Sequence, residues 1–371
     1  LQINQGRVRE IELSNLRAVL SVRDSLMQLD TLSGSAGGIR LGGKGTLGWA
    51  RPREGLMHLE AIADSLLGLD AFLTSFVGPE SDTVQTPRPL DGQGTLVMDL
   101  SGSLDTLSAT GVLEADGVVW RRVRVPELQA QASWLGGARP RIDVRVATDS
   151  VGIGERAYRA LEGTAAGPLD SLRWGARGEI GTNAAVAGAG QVLTRDSLRT
   201  VWFDTLALNL PLRNWRLEEP AYLALGQGAP QLSRTVLLAS DGGGRVELEG
   251  AVPWETAGDL RIEALGLDLK AISALAQAGT TDVAGSLALR AHLAGTRRAP
   301  VIGGEMTVED IAVGDARGPF VFAAMDYADR RLQARAELWR TGQPVMSVDA
   351  ELPIDLALLP LKNRRVEGPL L

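Results

Sequence analysis

Apolar and polar residues alternate along most of this chain. In residues 141–146, for example, arginine and aspartate alternate with isoleucine and valine. Successive side chains of a β-strand point to opposite faces, so such a segment predicts a strand with one apolar face and one wet face. The same alternation recurs in residues 95–100, 245–249, 286–293 and 347–352. Strands of this kind are typical of an antiparallel sheet that is covered on one side only.

Two segments depart from the alternation and favour helices. In each, apolar residues recur at intervals of three and four positions, which forms one stripe of an amphipathic helix. We predict two or more short amphipathic helices, of which these two connect strands and dock on the sheet; the alternative is that these segments bind a ligand directly. The two stripes are Ile62, Leu66, Leu69, Phe72 and Phe76, and Leu265, Leu269, Ile272 and Leu275.

An internal repeat relates two parts of the chain. Residues 45–49, which end in Gly-Trp, are followed about 200 positions later by residues 250–254, which end in Pro-Trp. Both copies then show the same order of strand, helical stripe and further strands. We predict a repeat over approximately 33–150 and 240–355, with 151–239 as intervening strands. The whole of 1–371 is predicted to form one continuous elongated β-groove.

The charge balance and cysteine content exclude several classes of function. Lys and Arg number 38 against 45 Asp and Glu, a formal charge of −7, which argues against a nucleic-acid binder. Cysteine is absent, so the sequence excludes a disulfide framework, a thiolate zinc site and a cysteine nucleophile. No apolar run reaches the ~18 residues that a membrane-spanning helix needs.

Residues that could carry catalysis are scarce. Residues 38–45 nearly spell a phosphate-binding loop, but Gly45 replaces the Ser or Thr that would reach magnesium, and strand follows where a helix is required. We therefore expect a Gly-rich turn with an exposed Lys44. The two histidines, His58 and His292, alternate with apolar neighbours and are expected on the surface. The sequence predicts no enzyme, no cofactor and no metal.

Two of the eight tryptophans occupy equivalent positions in the repeat. Trp49 and Trp254 both follow the end of a predicted strand. We expect each to plug the core at that strand end, and the alternative is a place at a groove mouth or a membrane edge.

Residues 259–306 carry a recognisable succession of short motifs. They are Leu-Arg-Ile-Glu-Ala at 260–264, Leu-Asp-Leu-Lys-Ala-Ile at 267–272, Gly-Ser-Leu at 285–287, Leu-Ala-Gly-Thr at 293–296, then Pro300 and a Gly-Gly pair at 303–304. This succession resembles the TamB (translocation and assembly module) family of the AsmA-like superfamily. Residues 217–221 and 244–250 also look like a unit of that family. The first copy departs from the pattern, since Gly-Ser at 102–103 replaces Gly-Thr.

The resemblance implies a fold, a place and a role. Members of the family form a long, curved antiparallel sheet that makes an open taco-shaped groove with an apolar inside. They are anchored in the inner membrane, extend through the periplasm, and transport phospholipids between the inner and outer membranes. They also support outer-membrane protein assembly with an Omp85-family partner. The anchor and the C-terminal part that would reach such a partner are absent from this sequence, which we expect to be an internal piece of a longer polypeptide.

A lipid groove needs aliphatic lining and no catalytic residue, which agrees with the scarcity of catalytic motifs. The predicted partners are phospholipid acyl chains and not nucleic acid. Two alternatives remain open, namely an extracellular β-solenoid (an adhesin passenger or a glycan-active enzyme) and a purely structural periplasmic spacer. The residues predicted to line the groove are Leu96, Met98, Leu100, Val144, Val146, Val246, Leu248, Leu287, Leu289 and Leu293.

Overall fold

The computed structural model is almost entirely antiparallel β-sheet, as the alternation predicts. Its described residues are 2–8, 11–49, 53–67, 90–121, 123–154, 156–181, 184–210, 213–241, 243–270, 272, 283–313 and 316–358. They divide into two compact units, Leu1–Glu179 and Ile180–Leu371, and each unit is described by itself below. The prediction of one continuous groove over the whole chain stays a prediction.

The first unit is a meander in which each strand from β1 to β9 pairs antiparallel with the next one along the chain. Its strands are β1 (Gln2–Val8), β2 (Ile11–Arg23), β3 (Leu26–Ala36), β4 (Ile39–Gly48), β5 (Gly55–Ala63), β6 (Asp91–Gly102), β7 (Ser108–Trp120), β8 (Val123–Leu135), β9 (Arg141–Ile153), β10 (Arg156–Pro168) and β11 (Ser171–Ile180). A single 3-10 turn, Leu104–Thr106, connects β6 to β7.

The second unit repeats this meander. Its strands are β12 (Ala184–Arg195), β13 (Leu198–Asn209), β14 (Asn214–Leu217), β15 (Ala221–Leu225), β16 (Gln231–Ala239), β17 (Arg245–Ala251), β18 (Gly258–Asp268), β19 (Val283–Gly295), β20 (Pro300–Val313), β21 (Ala316–Ala328), β22 (Arg331–Arg340) and β23 (Gln343–Pro353). From β16 onward, each strand pairs antiparallel with the next.

One strand of the second unit is interrupted. Both β14 and β15 pair with β13 on one side and with β16 on the other, so together they fill a single strand position. The gap between them contains Pro220, which has no N–H to donate to a neighbouring strand. Proline is tolerated in a sheet only at such breaks or at edges.

Buried side chains form small clusters on the sheet. In the first unit Leu29, Leu47 and Met57 make one cluster, which lies on β3, β4 and β5. In the second unit Trp215 is the largest member of another, which also contains Ala184, Leu210 and Ala239. These clusters cover only part of each unit, so much of the apolar surface lies outside them.

Neither predicted helix is present as an element among the described residues, and both stripes begin in strands. Ile62 lies in β5 and Leu265 lies in β18. The register of β18 against β19 shifts between Ala264 and Leu267, and this bulge inserts residues that break the alternation and imitate helical spacing. Within the two stripes, Leu66 lies in a bend, and α-helical conformation is described at positions 269, 270 and 272, which include Leu269 and Ile272 of the second stripe. The remaining predicted positions, Leu69, Phe72, Phe76 and Leu275, lie outside the described residues.

Gly45 has a backbone conformation that few other residues adopt. Its φ is +135°, and a Cβ at this position would lie 2.3 Å from the carbonyl oxygen of Leu56. Gly250, its equivalent in the repeat, has a φ of +120° and is similarly crowded by Asp259. Each glycine therefore permits a close approach of two strands that a side chain would prevent.

We expect Gly45→Ala to lower the free energy of unfolding by about 2 kcal/mol or more, since it adds strain at positive φ to a backbone clash. Gly42→Ala in the same strand is the matched control, because a Cβ there meets nothing within 4 Å. We expect the control to change stability by less than about 0.5 kcal/mol. Urea unfolding followed by circular dichroism measures both, and equal effects would contradict the explanation.

Candidate functional site

Strand pairing brings the predicted residues of the first unit onto one face. Residues that are directly opposite on neighbouring strands share a face and lie about 5 Å apart. Starting from Leu96, the register leads through Leu113 and Ala130 to Val146. A parallel row starts from Met98 and leads through Gly111 and Ala132 to Val144. We call the side of the sheet that carries these rows the apolar face.

The second unit has an apolar face of the same kind. Val246 lies opposite Ala264, which lies opposite Leu289, and the row continues to Met306 on β20. The neighbouring rows place Leu248, Leu287 and Leu293 on the same face. Within each unit, the predicted lining residues therefore form one surface.

The apolar face is partly open to solvent at these positions. Leu96 and Val146 remain 37% and 36% exposed. The other predicted lining residues are half-buried, and none of them is buried. A facing layer of protein side chains would bury such residues, so at these positions the face is unfilled.

Sequence reasoning missed part of this face. Leu113, Ala130 and Ala132 belong to the same rows but were not singled out. In β7 the alternation is blurred by Val112, which is apolar yet lies on the opposite face. In β8 the face is made by alanines, whose small side chains give a weak apolar signal.

The opposite face, which we call the polar face, carries ion pairs across neighbouring strands. Arg290 on β19 lies 3.0 Å from Glu263 on β18 and 3.6 Å from Glu305 on β20. In the first unit Arg177 lies 2.7 Å from Glu162. These groups are about half exposed, so each pair adds little stability. The ion pairs keep this face hydrated, and they favour the strand register in which the opposite charges meet.

Glu247, also on the polar face, has a strongly lowered pKa. Its carboxylate accepts hydrogen bonds from Arg234 at 2.6 Å and from Arg245 at 2.9 Å. The hydrogen bond from Arg234, followed by that from Arg245, lowers the pKa of Glu247 from 4.5 to about 2, and partial burial opposes the shift.

The two histidines lie on the polar face, as predicted. His58 Nδ1 is 2.7 Å from Asp99 Oδ1, and His292 Nε2 is 2.9 Å from Asp259 Oδ1. Both pairs are about half exposed. Such exposed single contacts form neither a catalytic triad nor a metal site. Among the described residues, no group of three or more His, Cys, Asp or Glu could hold a metal ion.

The prediction that 38–45 forms a Gly-rich turn is wrong for most of the segment, since β4 begins at Ile39, although Lys44 is exposed as expected. Gly38 lies in the turn that connects β3 to β4, and Lys44 lies in β4 opposite His58. A phosphate-binding loop needs a helix N-terminus at this place, and the segment provides none.

The expectation that Trp49 and Trp254 plug the core is wrong. Their exposed fractions are 56% and 51%, because both lie beyond the end of the preceding strand: Trp49 directly follows β4, and Trp254 lies three residues after β17 ends at Ala251. The Arg297 guanidinium lies 4.8 Å from the centre of the Trp254 ring, an arrangement typical of a cation–π contact.

Two open depressions lie over the polar face. One of about 380 Å³ covers β6 to β9 and is lined by Asp99, Gln131 and Arg145, among others. The other, of about 610 Å³, covers β18 to β21, where Gly303 and Ala324 leave a gap between charged side chains. Both are spaces between exposed polar groups rather than enclosed pockets.

Comparison of the chain with protein-family models, with curated proteins and with solved structures finds no match. Within the part of the chain that the structure describes, no helix is long and apolar enough to cross a lipid bilayer.

The low pKa of Glu247 predicts a pH dependence of stability. Its folded-state pKa lies below the ordinary value, so the stabilisation is present above about pH 4.5 and is lost as the pH falls toward 2. We expect Glu247→Gln to be less stable than the unmodified chain at pH 6, and the difference to shrink steadily below pH 4.5. Denaturant midpoints measured from pH 2 to 7 test this, and a difference independent of pH would contradict it.

Proposed function

We propose that this chain is a segment of a periplasmic lipid-transfer protein of the TamB type, whose apolar face shields phospholipid acyl chains between the inner and outer membranes. The supporting observation is the set of continuous apolar rows, such as the row from Leu96 to Val146, whose side chains stay partly exposed. Soluble proteins rarely leave extended apolar surface uncovered unless something binds there.

The energetic case for such a surface is strong. Moving acyl chains into water costs about 0.8 kcal/mol per CH₂, or about 24 kcal/mol for two chains of about 15 methylenes. A lane of apolar side chains removes most of this cost along its length. The polar head groups stay in water at the open side of the lane.

The chemistry of the face suits a moving chain better than a fixed ligand. Its residues are mainly leucine, valine, methionine and alanine, which offer apolar contact without specific hydrogen bonds. Neighbouring strands lie about 4.8 Å apart, so an acyl chain that moves across the strands meets a similar row at each step. Weak, repeated sites permit movement, whereas one tight site would hold the lipid.

The charged polar face completes the proposal. Ion pairs such as Arg290 with Glu263 keep that side in water. The apolar face is then the side of the sheet that carries the acyl chains. A role in outer-membrane protein assembly with an Omp85-family partner is part of the same proposal and is drawn from the family resemblance.

The direct test places a charge in the proposed lane. We expect Met98→Asp and Leu289→Asp each to reduce co-purifying phospholipid several-fold. An acyl chain that covers the new carboxylate would remove water from its charge, and this desolvation costs free energy. The control is Gln131→Asp, on the polar face opposite Arg145, which should retain lipid. Mass spectrometry of extracts from the purified protein measures the lipid, and circular dichroism checks the fold.

A photo-crosslinking residue gives a second measurement that does not depend on a charge being tolerated. Placed at Met98 or Leu289 it should capture lipid, and placed at Gln131 it should not. If crosslinking is equal at the two faces, or if no lipid accompanies the unmodified chain, the chain is better explained as a structural spacer.

A further inference from the structure

One end of the strands of the first unit carries exposed apolar side chains. Because the strands are antiparallel, the turns at 24–25, 103–107, 136–140 and 169–170 lie at this end, as do the described residues 49, 53 and 54 between β4 and β5, and we call this end the turn rim. The opposite end carries only two exposed large apolar side chains among the described residues, Leu67 and Ile153. Those at the turn rim are between 46% and 63% exposed: Val22, Trp49, Leu56, Leu104, Leu135 and Leu169.

The turn rim is apolar on both faces of the sheet. Met57 points to the apolar face, so its neighbour Leu56 points to the polar face. In β8, Trp134 and Leu135 divide between the faces in the same way. Leu56 and Leu135 lie on the polar face and so cannot contribute to a lipid lane on the apolar face. Their exposure indicates that something else contacts this end of the strands.

Backbone contacts join successive turns into one rim. The Trp49 N–H donates to the Ser25 carbonyl oxygen at 2.7 Å, which connects the first turn to the end of β4. Gly48 bridges to Ser103, which connects the end of β4 to the next turn. The Gly136 N–H donates to the Leu107 carbonyl oxygen at 2.7 Å, which connects that turn to the one after it.

The charged groups of the turn rim are of both signs and are not paired with one another. Arg23 is followed by Asp24, and Arg53 by Glu54, yet none of these side chains has an ion pair or hydrogen bond within the part of the chain that the structure describes. Arg139 in the turn at 136–140 is also without a partner there. A zwitterionic phospholipid head group carries both a phosphate for arginine and an ammonium for a carboxylate, so its charges complement this rim.

The spacing of the side chains favours a fluid partner. Turns at one end recur at every second strand, so their side chains stand about 10 Å apart. A stable protein interface needs a contiguous surface of about 800 Å² on each partner, whereas lipids flow around separate side chains. Tryptophan and arginine are also suited to the boundary between head groups and acyl chains. We propose that the turn rim of the first unit binds the surface of a zwitterionic phospholipid bilayer, independently of whether the apolar face conducts lipid.

Vesicle flotation with phosphatidylcholine tests the proposal. We expect the unmodified chain to float with the vesicles and the double variant L56S/L135S to bind at least about tenfold more weakly. The matched control is L67S/I153S, which removes two similarly exposed apolar residues from the opposite end and should bind like the unmodified chain. The rim variant should still retain lipid in the extraction experiment, so failure of this inference is distinguishable from failure of the proposed function.

Tryptophan quenching by brominated phosphatidylcholine provides a measurement on the nearly unmodified protein. Trp49→Phe should remove more of the quenching than Trp120→Phe, since Trp120 ends β7 at the opposite end. Three results would overturn the proposal: no flotation of the unmodified chain, equal loss in both double variants, or binding only to vesicles that contain anionic lipid. The last result would indicate electrostatic attraction without apolar insertion.

Discussion

The cross-strand register is the constraint on which the rest of this structure depends. The side chains of a strand alternate with a period of two, so a slip of one residue would move the whole apolar set to the polar face. The ion pairs of the polar face oppose such a slip. Arg290 meets Glu263 on one side and Glu305 on the other, and a slipped strand would lose both partners. Each pair is weak, but together they favour the register that keeps the apolar rows continuous.

Much of the fold follows from the sequence, because alternation directly encodes which residues share a face. The alternation places Met98 on the same face as Leu96, and the pairing of successive strands then extends this face across the sheet. The alternation does not encode the bulge in β18. The shift between Ala264 and Leu267 depends on how β18 meets β19, and within one segment the extra residues are indistinguishable from a helical stripe. The exposure of Trp49 has a similar cause, because pairing ends at the residue before it.

The candidate site likewise has a part that could be predicted from the sequence and a part that could not. That the named leucines and valines share a face could be predicted, because these residue types mark a strand face strongly, whereas their role as a groove lining stays a prediction. The alanines of β8 could not, since alanine is common on either face. The two arginines around Glu247 could not be predicted from the sequence near Glu247 alone. Arg245 is two residues away, but Arg234 reaches the carboxylate only because β16 pairs with β17, and that pairing itself contains a register shift between Leu232 and Thr235.

Glycine explains how an unfilled face can remain compact without a covering layer. Gly43 lies between Leu32 and Leu59 in one cross-strand row, and a Cβ there would lie 2.7 Å from a Leu59 methyl carbon. The Leu59 side chain therefore leans over the glycine and covers backbone that would otherwise be exposed, and both leucines pack sideways against the cluster of Leu29, Leu47 and Met57. A face built in this way gains further stability from anything apolar that binds the folded chain and not the unfolded one, so an occupant stabilises the register that creates its own binding surface.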